Sequence, residues 1–215
     1  LQLPPMDITL GNLYHGEVRL GDLALDLHSE AGLMRAEGIT GTVAGTRLPP
    51  EAPGQLLWQS GGGGYTSLSG HFGFDDLGDT LEQLGYQRIV ETDEGAIELD
   101  LRWPGAPWEF SVATGEGAVL LDIQSGSFLD APSGAQGALR VVSILNLADI
   151  VSRLSLSHMF ESGIPFDSVE GEIYLHRGTV EVPLVEVTGG SSFQLSGLSE
   201  IETRSLSGEL VATLP

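Results

Sequence analysis

The sequence predicts a mainly β, antiparallel fold interrupted by two helices. Three observations carry that expectation. Apolar residues recur at every second position through most of the 215 residues, as in strands with one dry face and one wet face. Turn residues separate these segments at regular intervals, which favours antiparallel neighbours. Only two stretches switch to a helical period.

In the N-terminal third, Val18 and Leu20 share one phase, and Leu23, Leu25 and Leu27 resume one residue out of phase. The slip falls at Gly21-Asp22 and predicts a bulge or tight turn there. "GITGTVAGTRL" and "YTSLSGHFGF" read as strands with glycine at intervals, and "QSGGGGY" as a flexible loop. In "DDLGDTLEQLGY", Leu77, Leu81 and Leu84 fall at i, i+4 and i+7, which predicts a helix near 76–85. Asp75 is the expected N-cap and Gly85 the stop. Ile97, Leu99, Leu101 and Trp103 then alternate with Glu98, Asp100 and Arg102. "PGAP" turns the chain, because proline cannot continue a ladder. Trp108, Phe110 and Val112 read as the next strand, followed by Val119, Leu121 and Ile123.

The second helix is expected over 137–158. Its polar residues Arg140, Ser143, Asn146, Asp149 and Arg153 form a narrow stripe, and the rest is apolar. So many polar groups argue against a bilayer span. So wide an apolar surface predicts burial against protein, covering the dry side of the sheet. Strands follow at Val169, Gly171, Ile173 and Leu175, then Val180, Val182 and Leu184 after an "HRG" turn. Phe193, Leu195 and Gly197 come next, then Leu206, Gly208, Leu210 and Ala212. The total is about a dozen strands, which at ~4.8 Å spacing reach roughly 55 Å.

The formal net charge is -21, and all nine basic residues are arginine. Such a chain repels phosphates, so nucleic acid is excluded as a partner. It also lacks the Lys/Arg clusters that recruit anionic membranes. With no cysteine there is no disulfide framework and no thiolate metal site. "LQLPPMDITL" has neither a basic n-region nor an apolar h-region. Leu1 therefore reads as an internal start, with any membrane anchor or export signal expected upstream.

No catalytic pattern is present. There is no G-x-S-x-G elbow and no phosphate-binding glycine motif; the "GGGG" run has no lysine after it. His15, His28, His71, His158 and His176 are scattered without ligand spacing. The carboxylates of "FDDLGDTLEQLG" lack the calcium-loop pattern and suit an acidic helix start. The expectation is a binding, transport or scaffold role: no enzyme, no catalytic residues, no metal and no cofactor.

Two long stretches carry a resemblance. They are "DDLGDTLEQLGY…GAIELDLRWPGAPWEFSVATGEGAVLLDIQSGSFLD…GALRVVSILNL" and "ESGIPFDSVEGEIYLHRGTVEV…GGSSFQLSGLSEI". Their markers are a helix ending in L-G-Y, a strand ending in W-P-G-x-P, an apolar L-x-x-L-x-L helix and an F-D-S-V-E-G strand. In this order, over about residues 65–200, they resemble the C-terminal region of the YhdP family of AsmA-like envelope proteins. The tail "SEIETRSLSGELVATLP" departs from the D-L-x-x-R-x-Y-D-like pattern of that family.

The resemblance implies an elongated, curled antiparallel sheet, a β-groove or half-barrel with an apolar concave face. It divides the chain into groove repeats over 1–136, the apolar helix over 137–158 and completing strands over 159–215. It implies a periplasmic, inner-membrane-anchored bridge that carries phospholipid toward the outer membrane. The partners would be phospholipid acyl chains and an outer-membrane or envelope protein. The expected groove-lining residues are Ile97, Leu99, Leu101, Trp103, Phe110, Val112, Leu121, Ile123, Ile173, Leu175, Val180, Val182, Phe193 and Leu195. Leu139, Val142, Leu145, Val151 and Leu154 would close the groove from the helix. Alternation by itself fits equally a closed β-sandwich or barrel that binds or docks without lipid transport.

Overall fold

The computed structural model describes residues 4–129, 164–190, 192–203 and 205–213. The first strands are β1 (Met6–His15), β2 (Val18–Glu30), β3 (Leu33–Val43) and β4 (Thr46–Leu48). β5 (Gly54–Gln59), β6 (Tyr65–Phe74), β7 (Val90–Pro104) and β8 (Glu116–Phe128) follow. The chain closes with β9 (Ile164–His176), β10 (Thr179–Thr188), β11 (Ser192–Glu200) and β12 (Ser205–Thr213). All join one antiparallel sheet in the order β1-β2-β3-β4-β6-β7-β8-β9-β10-β11-β12. β5 lies off this path, between β3 and β6 beside the short β4. The path has two ends, β1 and β12, so the sheet is not a closed barrel. It is also one sheet rather than the two that a sandwich requires. Ten spacings along the path give a width of about 48 Å, slightly less than a simple strand count suggests, because β4 and β5 share one place in the order.

The helix α1 (Leu77–Gln83) sits between β6 and β7. Its N-cap is Asp76, whose Oδ1 accepts from the Gly78 N–H at 2.7 Å. Asp75, expected to cap, instead pairs with Arg47 on β4. Gly85 follows the Leu84 C-cap with φ +82°. Arg88 fastens this segment: its guanidinium meets Asp76, Asp79, Glu82 and Glu91. Leu77 and Leu81 pack on a cluster built from Phe74, Val90, Ile123 and Phe166.

The slip around Gly21-Asp22 is a bulge, to which both β1 and β2 contribute. The register shifts between Leu10 and Leu13, where Asn12 has φ +60° and its N–H donates to Asp22 Oδ1 at 2.8 Å. The register shifts back between Leu13 and Tyr14, where β2 carries the extra residue, Leu20, between Gly21 and Arg19, so Val18 returns to the face of Leu23. Two expectations need correction. Trp108, Phe110 and Val112 do not form a strand. Pro107 opens a 3-10 turn over Pro107–Glu109, and the chain folds back before β8. Leu184 does not share a face with Val180 and Val182. Pro183 has no N–H for the ladder, and β10 bulges between Val182 and Val185. The helix expected over 137–158, with Leu139, Val142, Leu145, Val151 and Leu154, lies outside the described residues.

Candidate functional site

Directly paired residues in an antiparallel sheet project from the same face. Following the pairs from strand to strand therefore traces rows across the sheet, perpendicular to the chain. One row runs Met6, Leu27, Ala36, Leu56, Leu68, Leu101, Gly117, Leu175, Val180, Ser199, Leu206. A second runs Leu13, Gly21, Val43, Thr46, Phe74, Gly95, Ile123, Val169, Val187, Phe193, Ala212. Each row reaches from β1 to β12, interrupted by only one polar residue, Ser199 or Thr46. Between them Phe72, Ile97, Leu121, Gly171, Val185, Leu195 and Leu210 form a third row across the C-terminal seven strands.

Glycine sits in these rows where a neighbour needs the space. A Cβ on Gly95 would stand 2.6 Å from the Phe74 ring, and one on Gly171 would stand 2.7 Å from Val185 Cγ2. Phe74 thus lies flat over the β7 backbone and is fully buried. Such glycines let a sheet bend tightly under a large side chain.

Of the fourteen residues expected to line a groove, Ile97, Leu99, Leu101, Trp103, Leu121, Ile123, Ile173, Leu175, Val180, Val182, Phe193 and Leu195 share this one face by register. Leu101, Trp103, Leu175 and Val180 form one buried cluster. Phe110 and Val112 reach the same side from the connection between β7 and β8. Val112 packs against that cluster, and the Phe110 ring meets Trp103 edge-on at 5.2 Å. The sequence alone did not indicate that Phe74, Phe166, Val185, Val187 and Val90 belong with them. In β7, β9 and β10 the buried phase changes within the strand, and packing in one cluster with Ile123 and Val182 brings these residues together.

The opposite face is polar and acidic. Asp122, Glu170 and Glu186 stand side by side on β8, β9 and β10. Glu98, Glu172, Asp100 and Glu181 belong to the neighbouring rows of this face. The Asn12 N–H and then Arg19 hold the Asp22 carboxyl below the usual carboxylate range. Arg47 does the same for Asp75. The Tyr174 hydroxyl donates to Glu172 Oε2 at 2.6 Å, and this bond raises its pKa. An open depression of about 800 Å³ lies largely on this face, lined by Thr42, Arg47, His71, Glu94 and Asp122 among others. Among the described residues no group of three or more His, Asp or Glu is placed to hold a metal.

All three tryptophans converge at one rim of the sheet. Trp58 is the penultimate residue of β5, Trp103 that of β7, and Trp108 lies in the turn that follows. Trp58 and Trp108 meet edge-on at 5.6 Å. No spacing in the sequence announces this cluster, since 45 residues separate Trp58 from Trp103.

Among the described residues no helix is long and apolar enough to cross a membrane. The whole chain, residues 1–215, matches the family model described as YhdP protein. No curated protein and no solved structure matches it. The chain belongs to the YhdP family, a family of cell-envelope proteins.

Proposed function

From membership in the YhdP family, we propose that this chain is a non-enzymatic groove module of a bridge-like protein. It carries phospholipid between the inner and outer membranes of a Gram-negative envelope, within the periplasm. The observation that carries the reading is the pair of rows running from β1 to β12 on one face, each apolar but for one residue, Ser199 or Thr46. An acyl chain needs continuous apolar contact along its path, and each buried CH₂ contributes about 0.8 kcal/mol. A single leaflet of hydrocarbon is about 15 Å deep, so rows of about 48 Å are several acyl lengths long. Headgroups need no dedicated site in this scheme; they stay hydrated outside a concave trough, and the acidic face keeps the exterior wet. Inner-membrane anchoring and an envelope protein at the far end complete the proposal.

Photo-crosslinkers placed in living cells test it. Those at Leu121 and Ile173, on the apolar face and only partly buried, should capture phospholipid. Those at Asp122 and Glu172, one residue away on the other face, should not. Equal capture at both pairs, or capture of protein alone at all four, would reject lipid transport in favour of a docking module.

A further inference from the structure

The tryptophan rim has features that the apolar face does not explain. Trp108 keeps 77% of its surface exposed, although several hydrogen bonds fix the turn that presents it. The Gly105 N–H donates to Gly64 O at 2.9 Å, joining this turn to the glycine loop after β5. Trp103 Nε1 donates to Ala106 O at 2.9 Å, and the Ala106 N–H donates to Glu109 Oε2 at 2.7 Å. An exposed indole on a pre-ordered turn loses little freedom when it binds.

Charge at this rim differs from the rest of the chain. Residues 60–64, residues 105–115 and the Arg177-Gly178 turn together carry one acid, Glu109, and one base, Arg177. Glu109 is occupied by the Ala106 N–H, and Arg177 Nε lies 3.0 Å from Glu116 Oε2. The loops that flank Trp108 are therefore locally neutral stretches of glycine, proline and tryptophan in a chain of net charge -21, with the acids Glu30, Glu200 and Glu202 further along the same edge. Indole prefers the headgroup level of a bilayer, where its ring is dry and its N–H is wet.

We propose that this rim is a membrane contact that takes a zwitterionic bilayer surface, anchored by Trp108. The proposal does not depend on whether acyl chains travel along the apolar face.

The test uses the 215-residue chain and phosphatidylcholine vesicles. Tryptophan emission should shift to the blue on titration, and brominated phosphatidylcholine should quench it. Trp108→Phe should reduce that quenching to the share of the partly buried Trp58, because Trp103 is only 4% exposed. Trp108→Ser should weaken partition by about tenfold or more, since an aromatic ring has roughly 200 Å² to bury. Leu184→Ser, on the opposite face, should bind as the unaltered chain does. Phosphatidylglycerol vesicles should bind less at low salt and recover as salt screens the repulsion. Far-UV circular dichroism of Trp108→Ser should match that of the parent, because so exposed a side chain supports little of the fold. Binding carried by another segment survives Trp108→Ser, so unchanged partition in that variant overturns the proposal. Absence of partition at any salt also overturns it and leaves the rim to a protein partner.

Discussion

Leu101→Asp probes how dry the centre of the apolar face is. Leu101 is 7% exposed and packs with Trp103, Leu175 and Val180. Loss of a buried leucine side chain alone costs about 2–5 kcal/mol. The introduced carboxyl adds a second cost, because among the described residues no arginine lies on this face beside it. In so apolar a site its folded pKa rises well above the unfolded value of about 3.9. The folded state then holds a proton that the unfolded state releases. Stability therefore falls as pH rises from about 4 to the folded pKa, by ~1.36 kcal/mol per pH unit. Urea unfolding followed by tryptophan emission at pH 5 and pH 7 should show a large deficit that grows by about 2–3 kcal/mol between them. A deficit below about 1 kcal/mol with no pH dependence would refute the reasoning, since the carboxylate would then be reaching water despite the burial of Leu101.

Gly95→Val should destabilise by about 1–3 kcal/mol in chemical denaturation, because the new side chain collides with the Phe74 ring. Glu170→Lys should stabilise by roughly 0.5–1 kcal/mol and reduce the gain from added salt, since it separates Asp122 from Glu186 in the wet row. Asp76→Ala should lower the melting temperature through loss of about 1 kcal/mol of N-cap stabilisation. The Arg47–Asp75 pair adds a small term, present above the ordinary carboxylate range near pH ~4 and lost as pH falls through the lowered Asp75 value. A pH titration of Arg47→Gln should match that of the parent at low pH and fall slightly below it at neutrality.

Most of the sheet was legible because long stretches of most strands keep alternation between their turns. From Ile97 to Trp103 the apolar phase is set by single residues, and the register agrees with it. The α1 helix was legible from its leucine spacing, but not its cap: Asp75 and Asp76 are adjacent carboxylates, and only the position of Arg47 separates their roles. The Trp108 turn was misread because Trp108, Phe110 and Val112 alternate like a strand. Pro107 fixes a helical φ just where the ladder would begin. Which residues share the candidate face depends on register across many strands, a property of no single segment.

The bulges show how that register produces a continuous face. On β1 the apolar phase is even at Met6, Ile8 and Leu10, then odd at Leu13. On β3 it is even at Ala36, then odd at Ile39, Gly41 and Val43, with the extra residue near Gly38 at φ +62°. On β10 it passes from Val180 and Val182 to Val185 and Val187 across Pro183 and Leu184. A one-residue change of phase would normally carry the following apolar residues to the wet face. An inserted residue absorbs it, so the dry rows continue, and the surplus side chain goes outward: Leu184 stands beside Glu172 at 46% exposure. The same insertion increases local twist. The sites where the sequence abandons simple alternation are therefore sites where a wide sheet can turn while its apolar rows continue. Continuity across strands, and not the depth of any one pocket, is the property that a surface serving a long flexible hydrocarbon requires.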